Sequence, residues 1–245
     1  MKFILHILLL CLAFSGVQLA GASEHDLFDQ VLQKHVSQGK VNYSAIKQDN
    51  RFQQYLDYLA KTNPEKFSSE SEKLAFWINA YNALAIKGIL DGLSPDGFFS
   101  RITYFKTTDY DLAGRKMNLY DLERDIIIPF NEPRIHFAIV CASASCPKLI
   151  AEAYTADKLE QQLEKNTREF INNSFKNSFD VEKKRAGISK IFDWFPEDFS
   201  KHSGSVQKYL ANYVDDTAVS NLLAEEKFSV SFLEYDWSLN GNPVK

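Results

Sequence analysis

The 245-residue sequence is poor in cysteine: it has three, and one of them, Cys11, lies in an apolar leader. The two that remain, Cys141 and Cys146, are too few to hold a fold together by disulfides alone. Positive charge is not in excess. The formal net charge is −4, and removing Lys2 with the leader takes it to −5, which argues against nucleic acid as the main partner. Past the leader, no segment approaches the ~20 consecutive apolar residues of a membrane-spanning helix. The sequence has no phosphate-cradling glycine loop and no G-x-S-x-G nucleophile elbow. No repeat, low-complexity linker or shift in composition marks a second domain.

Residues 1–22 read as an export signal. Lys2 supplies the positive start, Phe3 to Phe14 the apolar core, and Ala20-Gly21-Ala22 the small-residue cleavage site. The expected location is therefore the periplasm or the exterior. Cys11 follows Leu10 rather than a small residue, which argues against a lipoprotein. Cleavage would leave residues 23–245, enough for one substantial domain.

Helical periodicity is clear in Asp26 to Val36, in Phe52 to Leu59 and above all in Ser71 to Leu90. In the last of these, Leu74, Trp77, Ile78, Tyr81, Leu84, Ala85 and Ile89 form a wide apolar stripe. Asn79 and Asn82 lie three apart on one face of it. They are poor helix formers, so they either bond to buried backbone or orient a substrate or catalytic group. Thr108 to Met117 has the pattern of a hairpin turning at Ala113-Gly114-Arg115. Asn118 is placed to cap the following helix, in which Glu123 reads as a solvated mid-helix residue. A further amphipathic helix is expected over Thr155 to Ile171, and a second hairpin between Phe179 and Ser189. Two short helices over 206–214 and 218–223 and a strand over 227–235 complete the pattern. The aromatic-rich run Phe192 to Phe199 reads as a core plug, with Asp198 capping or bonding backbone.

The stretch with the most chemistry is Pro133 to Pro147. Alternation over Ile135, Phe137, Ile139 and Cys141, with His136, Ala138 and Val140 opposite, predicts a central strand covered on both faces. Ala142 to Ser145 are small enough for a tight turn, which would carry Ser143 and Ser145 as substrate-orienting groups. Of the four histidines outside the leader, only His136 sits in an apolar setting, and it is the best candidate base. Cys141 and Cys146 are then either thiol nucleophiles paired with His136 or partners in a disulfide closing a small loop. The spacing of His136, Cys141 and Cys146 fits no common zinc site. Neither a metal nor another cofactor is expected, and no partner is legible.

Several longer motifs run in a fixed order: Leu74 to Ala83 (LAFWINAYNA), Arg134 to Ala138 (RIHFA), Cys141 to Pro147 (CASASCP), Ser189 to Phe195 (SKIFDWF) with Asp198-Phe199, and Tyr235 to Asn240 (YDWSLN). Together they resemble the family known as domain of unknown function 547, over nearly all of the chain past the leader. With that leader, the resemblance implies an exported bacterial member and assigns no activity. The overall expectation is one α+β domain, a small and mostly antiparallel sheet wrapped by helices. A long helix followed later by a segment bearing His is loosely similar to papain-like and transglutaminase-like layouts. Those place a cysteine at the start of the helix, where this chain offers Ser69 and Ser71 instead. Two functions remain open: an exported binding or scaffold module, or a thiol-dependent hydrolase or acyl transferase using His136 with Cys146 or Cys141.

Overall fold

A computed structural model describes residues 25–242. The expected export signal lies outside them. The chain opens with α1 (Asp26–His35), the short strands β1 (Val36–Ser37) and β2 (Lys40–Asn42), a turn of helix α2 (Tyr43–Ile46) and α3 (Asn50–Lys61). Then comes α4 (Glu70–Leu90), the element on which the fold is built. Ser69 accepts the Glu72 N–H at 3.1 Å, and the Glu72 carboxylate reaches back to the N–H and hydroxyl of Ser68 at 2.7 Å each. This reciprocal cap fixes where the helix begins. From Leu74 to Ile86 every residue of α4 is buried, so the helix is the axis of the larger core rather than one of its walls.

After α4 the chain forms α5 (Phe98–Ile102), a π-helical turn (Thr103–Thr107) and the hairpin β3 (Tyr110–Leu112) to β4 (Arg115–Met117). The two hairpin residues Ala113 and Gly114 both have positive φ, 53° and 75°, the geometry whose twist matches that of the strands. Asn118 accepts the Asp121 N–H at 2.8 Å and so caps α6 (Leu119–Asp121), as its sequence position predicts. That helix runs into a second π-helical turn, Leu122–Ile127, which carries Glu123. The remaining elements are α7 (Leu159–Ile171), β5 (Ser178–Asp180), β6 (Arg185–Ile188), α8 (Ile191–Trp194), α9 (Pro196–Ser203), α10 (Val206–Ala211), α11 (Thr217–Ala224), β7 (Ser229–Phe232) and β8 (Gly241–Asn242).

The architecture is α+β, with one correction to the expected sheet. Among the described residues there are three small sheets: β1-β2-β8, β3-β4 and β5-β6-β7. Their hairpin pairs are antiparallel, whereas β2 with β8 and β6 with β7 are parallel. Gly241 is required where β8 meets β2, because a Cβ there would stand 2.0 Å from the Val41 carbonyl oxygen.

The expected central strand does not exist. Pro133 to Phe137 form a 3-10 turn, and residues 138–142 run on irregularly. The reason is Asn82. Its Nδ2 donates to the Ala138 carbonyl at 2.9 Å, and its Oδ1 accepts the Val140 N–H at 2.8 Å. One side-chain amide thus takes the two ladder bonds a neighbouring strand would have made. The apolar alternation records burial on two sides, not pairing. Ile135, Ala138, Ile139 and Val140 belong to the core around α4, whereas Phe137 belongs to a second core with Phe170, Phe192, Phe199 and Tyr209. The segment is the seam between two cores.

Candidate functional site

At that seam lies a cavity of about 260 Å³. The 3-10 turn contributes His136 to its wall, the irregular segment Ile139 and Cys141, and the turn beyond Cys146 and Pro147. The π-helical turn after α6 contributes Glu123. Trp194 and Phe195 close it from the α8–α9 corner, and Tyr235 and Trp237 from the C-terminal segment. Helix α5 and the turn after it supply a rim with Phe98, Arg101, Ile102 and Lys106. Phe98 is 67 % exposed, so this rim is apolar and open to solvent rather than sealed.

His136 is buried. Its Nε2 stands 2.8 Å from Asp198 Oδ2, and its ring stacks at a tilt on Phe195, 4.0 Å between centroids. Nδ1 has no hydrogen-bond partner among the described residues. Burial lowers the imidazole pKa against the opposing effect of the Asp198 carboxylate. The bond to His136 in turn holds the Asp198 carboxyl below the usual carboxylate range. Both directions describe one state: a neutral imidazole donating Nε2–H to an ionised carboxylate. Asp198 therefore orients the only histidine in the cavity wall, instead of capping α9 or bonding backbone.

Glu123 is the second correction. It is partly buried on the cavity wall rather than solvated, because the π-helical turn rotates it inward. Loss of water pushes its carboxyl up to about 7, with Arg124 opposing and Asp198 adding to the rise. Arg124 and the two cations of the rim are held over aromatic rings: Arg101 over Trp237 at 4.5 Å, Lys106 over Tyr120 at 4.3 Å and Arg124 over Phe195 at 4.5 Å. None of the three has an ion-pair partner among the described residues.

Cys141 and Cys146 stand at disulfide distance, with Cα atoms 6.2 Å apart, inside the reach a bridge needs. Ala142, at φ +61°, makes the turn that brings them back together. The Cys141 N–H donates to Cys146 Sγ at 2.9 Å, and Ser143 Oγ and Tyr235 OH lie 3.1 and 3.3 Å from Cys141 Sγ. Ser143 is buried and donates to the Tyr235 hydroxyl at 3.2 Å. Ser145 accepts the Asp236 N–H at 2.9 Å. These two serines tie the cysteine turn to the C-terminal segment, and neither lines the cavity.

Nor do Asn79 and Asn82 line it. Asn79 clamps the Tyr154 backbone by donating to its carbonyl at 2.7 Å and accepting its N–H at 2.9 Å. Asn82 does the same for the segment between His136 and Cys141. Both are fully committed to backbone, and through Asn82 helix α4 sets the path of the cavity wall. Of the residues singled out in the sequence, the structure thus gathers His136, Cys141 and Cys146 around one space. Glu123, Arg101 and Lys106 line it without a local signal, and Asp198 meets it only through His136. Among the described residues, no group of three or more His, Cys, Asp and Glu side chains is arranged to hold a metal ion. No described helix is long and apolar enough to cross a membrane.

No curated protein and no solved structure matches the chain. A family model does match, over a shorter span than the motifs predict: it covers α4 and the cysteine turn but ends before the motifs at 189–199 and 235–240. Residues 64–171 match the model described as "Protein of unknown function, DUF547", and over that span the chain resembles that family.

Proposed function

We propose that the protein is an exported binding module whose cavity takes a small amphipathic organic anion, with an aromatic or apolar body and one negatively charged group. The observation that carries this reading is the pairing of an apolar, aromatic-walled cavity with Arg101 and Lys106 at its rim, neither of them ion-paired with a carboxylate among the described residues. Apolar walls bind a ligand body by burial, and a few polar groups at the mouth fix its orientation. Guanidinium and ammonium groups already resting on Trp237 and Tyr120 are held in place for an anion.

The test uses 1-anilinonaphthalene-8-sulfonate, an apolar body with a sulfonate. It should bind with a stoichiometry of one and quench Trp194 and Trp237, which line the cavity, while Trp77 is buried elsewhere. The double variant Arg101→Gln, Lys106→Gln should weaken binding about tenfold, or ~1.4 kcal/mol. Unchanged affinity in that variant would remove the basis for an anionic ligand. Export itself is tested by the N-terminal sequence of the secreted protein, expected to start just after Ala22.

One observation favours a thiol-dependent hydrolase or acyl transferase as the second reading. His136, held by Asp198, lines the cavity together with both cysteines, and the free nitrogen of its ring is Nδ1. That activity requires the cysteine pair in its reduced form. A thioester substrate hydrolysed only after reduction, and not by His136→Asn, would support it; hydrolysis indifferent to reduction would exclude it.

A further inference from the structure

We propose that Cys141 and Cys146 form a thiol–disulfide exchange centre that reacts with a small apolar thiol carrying an anionic group, bound in the cavity with its sulfur against Cys141. This rests on the reading of the cavity as a ligand site.

The first support is position. Both sulfurs belong to residues of the cavity wall, Cys146 at the edge of the larger core and Cys141 beside it. They are also unequal. Cys141 is partly exposed, whereas Cys146 is only 6 % exposed. An incoming thiolate therefore meets the sulfur of Cys141 first, and access decides which sulfur is attacked.

The second support is that each sulfur has a hydrogen-bond donor suited to a thiolate. Cys146 Sγ receives the Cys141 N–H at 2.9 Å. Cys141 Sγ has the Tyr235 hydroxyl at 3.3 Å, whose proton is available to it because the Tyr235 oxygen already accepts from Ser143. Donors to sulfur favour the charged form and make it a better leaving group.

The third support is that the turn does not depend on the bridge for its shape. Ala144 N–H donates to the Ser238 carbonyl at 2.7 Å, Ser145 N–H to the Asp236 carbonyl at 3.0 Å, and Asn240 N–H to the Ala142 carbonyl at 3.0 Å. Opening the S–S bond leaves all three in place, so the two sulfurs stay near one another and the bond can re-form.

The chemistry balances in two steps. A ligand thiolate, its proton given to buffer, attacks Cys141 Sγ. A ligand–Cys141 mixed disulfide forms, the Cys141–Cys146 bond breaks, and the electron pair leaves on Cys146. A second ligand thiolate then attacks the ligand sulfur of the mixed disulfide. It releases the oxidised ligand disulfide and a Cys141 thiolate held by the Tyr235 hydroxyl. Two ligand thiols are oxidised by two electrons, and the protein disulfide is reduced by the same two.

The experiment treats the oxidised wild-type protein with 4-mercaptobenzoate or with 2-mercaptoethanol at matched thiolate concentration. Intact mass follows the adduct, and peptide mapping after alkylation locates it. Because the thiolate of lower pKa is the weaker nucleophile in free solution, each thiol is also run on an unstructured disulfide peptide. The expected result is a rate ratio of aromatic to aliphatic thiol about tenfold higher on the protein than on the peptide, with the adduct on Cys141. The same rate ratio on protein and peptide, an adduct on Cys146, or reduction only after unfolding would each overturn the proposal. Binding of 4-hydroxybenzoate to the same oxidised protein separates the two readings. If it binds and exchange is not accelerated, exchange alone is refuted. If it does not bind either, the ligand site falls with it.

Discussion

Glu123→Gln is the most direct probe of the cavity. A carboxyl whose pKa rises from 4.5 to about 7 on folding keeps its proton in the native state after the unfolded chain has lost it. The native protein then binds more protons than the unfolded chain between those two values, and stability falls as pH rises through that window. Below about pH 4.5 the group contributes no penalty, and above about 7 the penalty is complete. At ~1.36 kcal/mol per unit, a rise of this size corresponds to a loss of about 3 kcal/mol, an upper figure for a residue that retains some contact with water. Glutamine keeps the shape and cannot ionise. The variant should be more stable than the wild type by less than about 1 kcal/mol at pH 5 and by up to about 3 kcal/mol at pH 8. Urea unfolding followed by tryptophan fluorescence at both pH values measures this, and the difference between the proteins cancels every other titrating group. Parallel pH profiles would refute the reasoning, because they would mean that Glu123 is ionised and hydrated in the folded protein.

Asn82→Leu should cost about 3–5 kcal/mol, since it strands the buried Val140 N–H and Ala138 carbonyl together. It should also loosen the wall between His136 and Cys141, seen as a loss of dye binding at temperatures where the variant is still folded. Trp77→Ala, at a position only 7 % exposed on α4, should cost about 3–5 kcal/mol and lower the melting temperature sharply. An unchanged melting temperature would place Trp77 outside the core. Asp198→Asn should lower the His136 pKa further, because it removes the one carboxylate that favours the imidazolium. NMR titration of the ring protons reads this, and a rise would contradict the assigned pairing. Gly88→Ala should destabilise the protein, because the added methyl would stand 2.8 Å from both the Tyr104 ring and the Tyr110 hydroxyl; a melting temperature equal to wild type would show that both rings yield freely.

The sequence was most legible where structure is local. The stripe from Leu74 to Ile89 is a helix because 3.6-residue spacing is a property of α4 alone, and Ala113-Gly114 turns the chain by its own backbone preferences. The same holds for the Asn118 cap. His136, Cys141 and Cys146 were also legible, as the reactive side chains of one apolar stretch. The strand over 135–141 was misread because apolar alternation reports burial, while pairing is decided by Asn82, some 56 residues away. Asp198 could not be matched to His136 across 62 residues. Within the aromatic run, Phe192 and Phe199 do fill a core, while Trp194 and Phe195 turn to the cavity. No helical wheel predicts Glu123 facing inward, because the π-helical turn shifts the register that the wheel assumes. Arg101 and Lys106 follow a loop whose course depends on contacts with Trp237 and Tyr120.

The segment from Tyr235 to Asn240 does more than cover the cysteine turn; it sets when the site is built. Its contacts with Ser143 and Cys141 span 92 and 94 residues of chain, among the longest loops the fold must close, and closures of that kind come late. Helix α4 and the hairpins can form around local contacts before then, with the cavity still lacking one wall. During synthesis the domain passes through a stage in which Cys141 and Cys146 are already in the chain and the residues that enclose them are not. For that interval the two thiols are open to any oxidant or foreign thiol they meet. The order of assembly therefore makes this pair the part of the molecule most exposed to chemical error before folding ends.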